Sequence, residues 1–316
     1  MAEQSENLHR SVLLDEAVAL LEPERGGVFV DATLGLGGHA EAILARGAAA
    51  RVVGIDQDPE AVRQARRRLA PFGDRVRIFH ANFAALKTVL REAGEATADG
   101  VLADLGVSSM QFDTAERGFS FRFDAPLDMR MNTESDDPTA AELLATLAEE
   151  EIARIIYEYG EERHSRRIAR RIVWKREIGE PVRTTRELAE TVEKAIGRGR
   201  AQDKIHPATR TFQALRIAVN DELAVLEDFI GDAIEVLSAG GRLAVITFHS
   251  LEDRLVKQTF QRLAGRCSCP PRLPQCVCGA EKRIEILTRK PIAPSEIETE
   301  ENPRARSAKL RVCAKI

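Results

Sequence analysis

A short apolar stretch that runs straight into a cluster of glycines is the feature that most constrains how this chain can fold. Residues 28–39 read VFVDATLGLGGH, and residues 51–59 read RVVGIDQDP. The first segment predicts a buried strand, a sharp turn and a helix that begins near His39, and the second predicts a parallel strand that ends in Asp56. A strand, a glycine turn, a helix and a second strand form the opening unit of a doubly wound α/β fold.

Glycines and an acid in these two segments predict a ligand site. Gly35, Gly37 and Gly38 allow the backbone to turn sharply and to bring its N–H groups close to a ligand. Asp56 follows about 20 positions later, at the end of the second strand, where an acid binds the ribose hydroxyls of a nucleoside. The glycines alone suit a purely structural turn equally well. The added acid is what favours a cofactor that contains a nucleoside.

The spacing of the glycines separates two classes of cofactor. Dinucleotide binding uses the pattern G-x-G-x-x-G, whereas here the glycines are crowded and position 40 is Ala. Asp31 ends the first strand, where its carboxylate would face a cationic amine. An acid at each of two strand ends suits S-adenosylmethionine, which carries an amino-acid end, a sulfonium and an adenosine. We therefore predict a class I, Rossmann-like α/β methyltransferase, and an NAD-linked oxidoreductase is the alternative with the same fold.

Later strand ends carry further candidate site residues. Asn82 and Phe83 follow the third predicted strand, where a polar and an aromatic side chain commonly border an adenine. A capped turn and a core phenylalanine are the alternative interpretation of this pair. Asp104 follows the fourth predicted strand, and His249 lies at the end of the fifth, residues 242–248. The carboxyl ends of parallel strands form the crevice in which open α/β sheets bind ligands, so we expect Asp104 and His249 to lie there.

Between the fourth and fifth strands the alternation of strands and helices stops. Residues 112–216 predict an inserted all-helical domain, with one long helix over 150–174, and residues 1–111 together with 217–316 predict the methyltransferase domain. Residues 161–216 hold 15 lysines and arginines against 8 acidic residues, although the net charge of the whole chain is −4. This local excess favours a face that binds a polyanion. A solvated helical face with ordinary salt bridges is the alternative.

The sequence shows no sign of a membrane span or of a signal peptide. No apolar run reaches the roughly 20 residues that span a bilayer, and the first residues lack the basic and apolar regions of a signal peptide. We therefore expect a cytoplasmic protein that makes no membrane contact.

Four cysteines lie close together, at Cys267, Cys269, Cys276 and Cys278. Both pairs are spaced C-x-C rather than the C-x₂₋₄-C of structural zinc sites, so we assign no metal, while a zinc site and a loop of reduced thiols both stay open.

Six segments together resemble the RsmH/MraW family of bacterial methyltransferases, and the likeness covers nearly the whole chain. They read DATLGLGGH over 31–39, DLGVSS over 104–109, ERGFSF over 116–121, PLDMR over 126–130, TFHSLEDR over 247–254 and NPRARS over 302–307. The resemblance implies S-adenosylmethionine as the cofactor and N4-methylation of one cytidine, cytidine 1402, in the decoding region of 16S ribosomal RNA. It also implies that the inserted domain recognises the substrate RNA.

The resemblance further indicates which residues bind the cofactor. Carried over where the motifs match, the family's cofactor residues fall on Gly37, Gly38, His39, Asp56, Phe83, Asp104 and Gln111. Asp31 joins this set because of its place at the first strand end.

Methylation of a cytosine amine needs no covalent nucleophile, but it requires N4, the methyl carbon and the departing sulfur to lie in line. A hydrogen-bond acceptor for the N4 hydrogens would favour attack and take up positive charge as it forms. Asp104 is our first candidate for this catalytic role, and His249 is our second.

The resemblance implies 16S ribosomal RNA, naked or within the small ribosomal subunit, as the partner. The sequence leaves both a monomer and a homodimer open. A non-catalytic RNA-binding assembly factor is the second alternative function. Such a protein would keep the basic insertion without needing Asp31, Asp56 and the glycines.

Overall fold

Seven strands form a single sheet in a computed structural model of the chain, which describes residues 11–197, 206–267, 269 and 280–316. The strands are β1 Gly27–Asp31, β2 Ala50–Asp56, β3 Val76–His80, β4 Ala98–Asp104, β5 Leu237–Thr247, β6 Ile284–Ile286 and β7 Lys309–Lys315. Their order across the sheet is β3-β2-β1-β4-β5-β7-β6. Neighbours from β3 to β5 run parallel, whereas β7 runs antiparallel to both β5 and β6.

This topology confirms the predicted doubly wound α/β class. Strand β1 lies between β2 and β4, so the order of the strands reverses at this point. Ligands of open α/β sheets bind outside the carboxyl ends of the strands at such a reversal. The strands on either side of the reversal, β1 and β4, end in Asp31 and Asp104.

The helices fall before, between and after these strands. In the described part of the chain they are α1 Leu14–Leu21, α2 Gly38–Arg46, α3 Pro59–Leu69, α4 Leu86–Glu92, α5 Ser109–Asp113, α6 Ala140–Thr146, α7 Glu149–Gly160, α8 Ser165–Glu177, α9 Thr185–Ile196, α10 Thr209–Asn220, α11 Glu222–Val236, α12 Ser250–Leu263 and α13 Glu296–Glu301. None of these helices is both long enough and apolar enough to cross a membrane.

The sheet is buried on both faces because its strands place apolar side chains alternately on the two sides. In β1, Val28 and Val30 pack in one apolar cluster with Phe229 of α11, whereas Phe29 packs in another cluster with Ile43 of α2. These two clusters fix the positions of the strands, and therefore the positions of the polar residues at the strand ends.

The chain divides into two compact units. Met1–Gly106 with Leu223–Ile316 form the first, which we call the sheet unit, and Val107–Glu222 form the second, which we call the helical unit. The helical unit has its own apolar core, which includes Ile156, Ile168 and Leu188. Its limits lie five and six residues outside the 112–216 that the sequence predicted.

Two predictions about element boundaries are wrong. The helix predicted over 150–174 is two helices, because Glu161 adopts the left-handed conformation (φ +50°) that ends α7, and α8 begins only at Ser165. The fifth strand begins at Leu237 rather than Arg242 and continues through the glycine pair at positions 240 and 241. Gly240 allows this with a positive φ of +78°, next to an irregularity in the β4–β5 register.

Candidate functional site

The glycine turn between β1 and α2 is fixed to the end of β2. The Leu34 N–H donates to the Ile55 carbonyl at 2.9 Å, and the Gly35 N–H donates to Asp56 Oδ2 at 2.7 Å. Gly37 has φ +81° and precedes the first residue of α2, where a side chain would be strained. A Cβ on Gly38 would lie 2.2 Å from the Ser11 hydroxyl. The sequence forms this turn because glycine alone satisfies both conditions.

Asp31 is a buried acid with an unused hydrogen-bond acceptor. Its side chain lies at the carboxyl end of β1 and is only 1% exposed. Oδ1 accepts a long hydrogen bond, 3.4 Å, from the Thr33 N–H, while Oδ2 has no hydrogen-bond partner among the described residues. Burial raises the pKa of Asp31 to about 7, and the nearby charge of Asp56 acts in the same direction. A buried carboxylate in this state favours a cation or a proton beside it.

Asp104 is the second acid of this kind. It ends β4, its backbone N–H donates to the Thr33 hydroxyl at 2.6 Å, and its Oδ1 is buried without a partner in the part of the chain described. Burial raises its pKa well above the usual range, and the neighbouring carboxylates of Asp31 and Glu252 raise it further. The structure thus brings the predicted residues Asp31 and Asp104 close enough for the charge of Asp31 to raise the pKa of Asp104.

His39 lies beside Asp104. The ring is buried, and Nε2 lies 3.1 Å from the carbonyl oxygen of Val12. A carbonyl oxygen can only accept, so Nε2 carries the proton in this contact. Nδ1 faces Asp104 Oδ2 at 3.9 Å, which is beyond hydrogen-bond distance.

Asp56 accepts two backbone hydrogen bonds at the end of β2. Besides the Gly35 N–H, its carboxylate accepts the Asp58 N–H on Oδ1 at 2.8 Å. Burial raises the pKa of Asp56 to about 6, although both hydrogen bonds act in the opposite direction. Each carboxylate oxygen has a second lone pair. The proposed contact to ribose hydroxyls is therefore compatible with the two backbone bonds.

Asn82 and Phe83 follow β3, where the structure shows the capped turn of the alternative interpretation, while the contact with adenine stays a prediction. Asn82 caps a short 3₁₀ turn by accepting the Ala84 N–H at 2.9 Å, and its amide donates to Gln57 Oε1 at 2.8 Å. Phe83 is half-buried, with its ring edge-to-face against Phe229 at a centroid distance of 5.1 Å. The Asn82 amide thus lies beside Gln57, the residue that directly follows Asp56.

His249 contacts Glu252, a residue that we did not predict from the sequence. His249 precedes α12, and its Nδ1 accepts the Glu252 N–H at 3.4 Å, while Nε2 lies 3.0 Å from Glu252 Oε1. The Glu252 side chain is 2% exposed, and its Oε2 accepts the Phe248 N–H at 2.8 Å. A Glu three residues after a helix-capping residue is the pattern of a capping box, and this was the available signal.

Gln111 is the one predicted cofactor residue that lies in the helical unit. It is buried in α5, where its Oε1 accepts the Ser108 N–H at 2.9 Å and its own N–H donates to the Ser108 hydroxyl at 3.2 Å. The side-chain carbonyl of Gln111 therefore completes a capping box. Its assignment to cofactor binding depends on the family resemblance alone.

The cysteine cluster is described only in part. Cys267 and Cys269 lie close together, with the Cys269 N–H donating to Cys267 Sγ at 3.4 Å. Cys276 and Cys278 lie outside the described residues, so the choice between zinc and reduced thiols stays open. Cys313 is fully buried in β7, and burial raises the pKa of its thiol.

Comparison with known proteins finds that the sequence matches one family. A family model described as the MraW methylase family matches residues 6–316. A relative from Geobacter sulfurreducens, named Ribosomal RNA small subunit methyltransferase H, is 54% identical over 309 residues, which cover 98% of this chain and 99% of the relative. A protein of the same name from Geotalea daltonii is 52% identical over 98% of both chains.

Likeness to solved structures is weaker than likeness in sequence. A structure described as a putative rRNA-methylase from Clostridium thermocellum covers 96% of this chain and 95% of its own, with 11% identity and a TM-score of 0.44. The family assignment therefore comes from the family model and the sequence relatives.

Proposed function

This chain belongs to the MraW methylase family, and on that premise we propose that it transfers a methyl group from S-adenosylmethionine to the N4 amine of a cytidine in small-subunit ribosomal RNA. The names of relatives that are more than half identical over nearly their full length support the substrate class. The finer part of the proposal, N4 of cytidine 1402 in 16S ribosomal RNA, follows from the motif resemblance.

The observation that carries the proposal is the pair of buried acids at the reversal of the sheet. Asp31 Oδ2 and Asp104 Oδ1 are buried without hydrogen-bond partners among the described residues. Leaving a buried acceptor unpaired costs about 1–3 kcal/mol, and more for a charged group, so a positively charged ligand is favoured here. S-adenosylmethionine carries a sulfonium and an ammonium group, and the acids fit both.

We assign the cofactor-binding residues from their positions around these acids and from the motif match. In the sheet unit they are Asp31, Gly37, Gly38, His39, Asp56, Phe83 and Asp104. Asp31 would hold positive charge, Asp56 the ribose hydroxyls and Phe83 the adenine, while the glycines allow the backbone to come close. Gln111 completes the set on the strength of the family motif. When bound, S-adenosylmethionine supplies an electrophilic methyl carbon, and no other cofactor is needed.

Asp104 is our proposed residue for orienting the target amine. An ionised Asp104 can accept a hydrogen bond from N4 and can take the proton that N4 loses as the new bond to carbon forms. Burial and the neighbouring carboxylates raise its pKa in the absence of ligand, and positive charge beside it lowers that pKa again. Asp104 therefore becomes a competent acceptor when a cationic ligand is present.

His249 is the second candidate for contact with the amine, and Glu252 positions it. Because Nδ1 accepts the Glu252 N–H, the neutral ring carries its proton on Nε2. In that form the ring is a donor rather than a base, which is why we place Asp104 first. The cytosine must leave its base stack to reach either residue, at a cost of a few kcal/mol unless the RNA is already open there.

A methyl-transfer assay tests the proposed function. Small ribosomal subunits from cells that lack this protein are incubated with the purified chain and methyl-labelled S-adenosylmethionine, and the RNA is then digested to nucleosides for mass spectrometry. We expect label in N4-methylcytidine and nowhere else. Label in another nucleoside would contradict the N4 assignment, and an absence of transfer to any subunit RNA would contradict the function itself.

A further inference from the structure

Helix α8 carries a dense run of positive charge in the helical unit. Residues 163–176 contain seven lysines and arginines and no acidic residue. The buried side of the helix holds Ile168, Ala169 and Ile172. The exposed arginines on and just before it are Arg163, Arg166, Arg167 and Arg170. The apolar side is therefore used for packing, and the charged side faces solvent.

Most of this charge has no acidic partner within the described part of the chain. Arg170 lies near Glu149, at 3.7 Å between Nε and Oε1, but its side chain is 74% exposed and such a pair contributes little. Arg163, Arg166 and Arg167 form no ion pair with the residues that the structure describes. Arg176 is different, because its guanidinium donates to backbone carbonyls near the end of α6, including Leu147 O at 2.9 Å. These bonds tie Arg176 to the fold.

The same helix presents an aromatic ring next to this charge. Trp174 is 43% exposed. The guanidinium carbon of Arg171 lies 4.2 Å from the centroid of the Trp174 ring, a cation–π contact that covers part of one ring face. Arg171 Nε is buried and has no hydrogen-bond partner among the described residues. The ring, and not an acid, therefore holds this arginine in place.

Spacing places these side chains on one face of the helix. Positions 167, 170, 171 and 174 are separated by three or four residues, which puts their side chains on neighbouring turns. We call Arg167, Arg170, Arg171 and Trp174 the arginine–tryptophan face. It combines unpaired positive charge with an exposed aromatic ring, the two elements that binding sites for single-stranded nucleic acids share.

We propose that the arginine–tryptophan face binds single-stranded RNA, with the arginines on phosphates and one base stacked on the exposed part of the Trp174 ring. The proposal rests on the proposed function, since it names where in the helical unit an RNA substrate is held. Charge complementarity selects the partner, because unneutralised arginines favour a polyanion. The exposed ring then favours a polyanion that carries bases, since every base offers a flat surface for stacking.

Trp174 is the single tryptophan of the chain, so its fluorescence reports this face without a label. Two probes separate charge from stacking: a single-stranded oligoadenylate, and inorganic polyphosphate, which has the charge but no bases. We expect oligoadenylate to quench the emission and added salt to reverse the quenching. Polyphosphate should compete with oligoadenylate without quenching by itself.

Three results would overturn the proposal. One is an unchanged emission when anisotropy of a labelled oligoadenylate shows that the protein is saturated. Another is an equal emission change with polyphosphate. The third is a change with polyglutamate and none with oligoadenylate, which would assign the face to an acidic protein. None of these readouts uses methyl transfer, so they stand apart from the test of the proposed function.

Variants give a second, independent test by the anisotropy assay. Replacing Trp174 by Ala should weaken oligoadenylate binding about tenfold, as loss of one stacked base does, whereas Trp174→Phe keeps a ring and should bind nearly as the unaltered protein does. Tyr157→Ala is the matched control, because Tyr157 is an exposed aromatic of the neighbouring helix α7, at 61% exposure. Equal losses in Trp174→Ala and Tyr157→Ala, or no loss in Trp174→Ala, would contradict the proposal.

Discussion

Asp56 makes two backbone hydrogen bonds in the folded chain and, in our proposal, further bonds to the ribose of the methyl donor. Asp56→Ala should weaken S-adenosylmethionine binding at least about tenfold, since hydrogen bonds to charged groups contribute about 1.5–3 kcal/mol. Asp58→Ala is the control, because Asp58 caps α3 through the Glu60 N–H at 2.9 Å. It should cost about 1 kcal/mol of unfolding free energy and leave calorimetric donor affinity nearly unchanged. Equal donor affinity in both variants would remove Asp56 from the site.

The raised pKa values predict how donor binding depends on pH. The pKa of Asp31 is about 7 and that of Asp56 about 6, against an ordinary value of 3.8. Below pH 7 a cationic donor must displace protons, so its affinity should rise with pH, by up to about tenfold per unit for each proton displaced. S-adenosylhomocysteine lacks the sulfonium charge and should show a shallower slope. Calorimetry from pH 5 to 8 measures both, and parallel slopes would contradict the role of the acids.

The raised pKa values also determine how these acids make the stability of the donor-free protein depend on pH. Between about pH 4 and 7 these two folded acids hold more protons than they do in the unfolded chain, so their contribution to the unfolding free energy should fall as pH rises. Glu252→Gln removes one charge that raises the pKa of Asp104. It should therefore shift the affinity profile of the donor to lower pH. Urea unfolding as a function of pH checks the stability change, and calorimetry on Glu252→Gln checks the affinity profile. An unchanged profile would show that Glu252 does not act on Asp104.

At the scale of elements, the turn from β1 to α2 depends on glycine for two separate reasons. Gly37 has φ +81°, and a Cβ there would lie 3.1 Å from Leu69 Cδ1. Gly73 also has a positive φ, +55°, but nothing lies within 4 Å of its Cβ position. Gly37→Ala should therefore lower both thermal stability and donor affinity. Gly73→Ala, at φ +55° and ψ −129°, should cost about 1–3 kcal/mol of backbone strain and leave donor affinity nearly unchanged. Equal effects on donor binding would show that the turn is not part of the donor site.

Elements with a regular apolar pattern could be predicted from the sequence, and those governed by backbone conformation could not. The strands that end in Asp31, Asp56 and Asp104 follow from apolar runs that stop at an acid. The break between α7 and α8 depends on Glu161 in a left-handed conformation, which a glutamate rarely adopts and no residue pattern announces. The early start of β5 depends on a local register shift next to Gly240, which is set by pairing with β4.

At the scale of the whole molecule, the positions of the acids at the strand ends could be predicted from the sequence, whereas the residues that pack beside those acids could not. Asp31, Asp56 and Asp104 follow from strand ends, because parallel strands bring their carboxyl ends to one edge. His39 came only with the family motif, since its role depends on a contact with the distant Val12 carbonyl. Glu252 was missed because its burial next to Asp104 is a property of tertiary packing, which no single helix or strand encodes.

The most direct test of the account is equilibrium dialysis of the full chain with S-adenosylmethionine at neutral pH, with NAD in a parallel experiment. We predict saturable binding of one S-adenosylmethionine per chain, a loss of at least about tenfold in affinity in Asp31→Asn, and no binding of NAD. If S-adenosylmethionine does not bind at saturating concentration, or binds equally well to Asp31→Asn, the acids at the strand ends do not hold a cationic methyl donor and the account is contradicted.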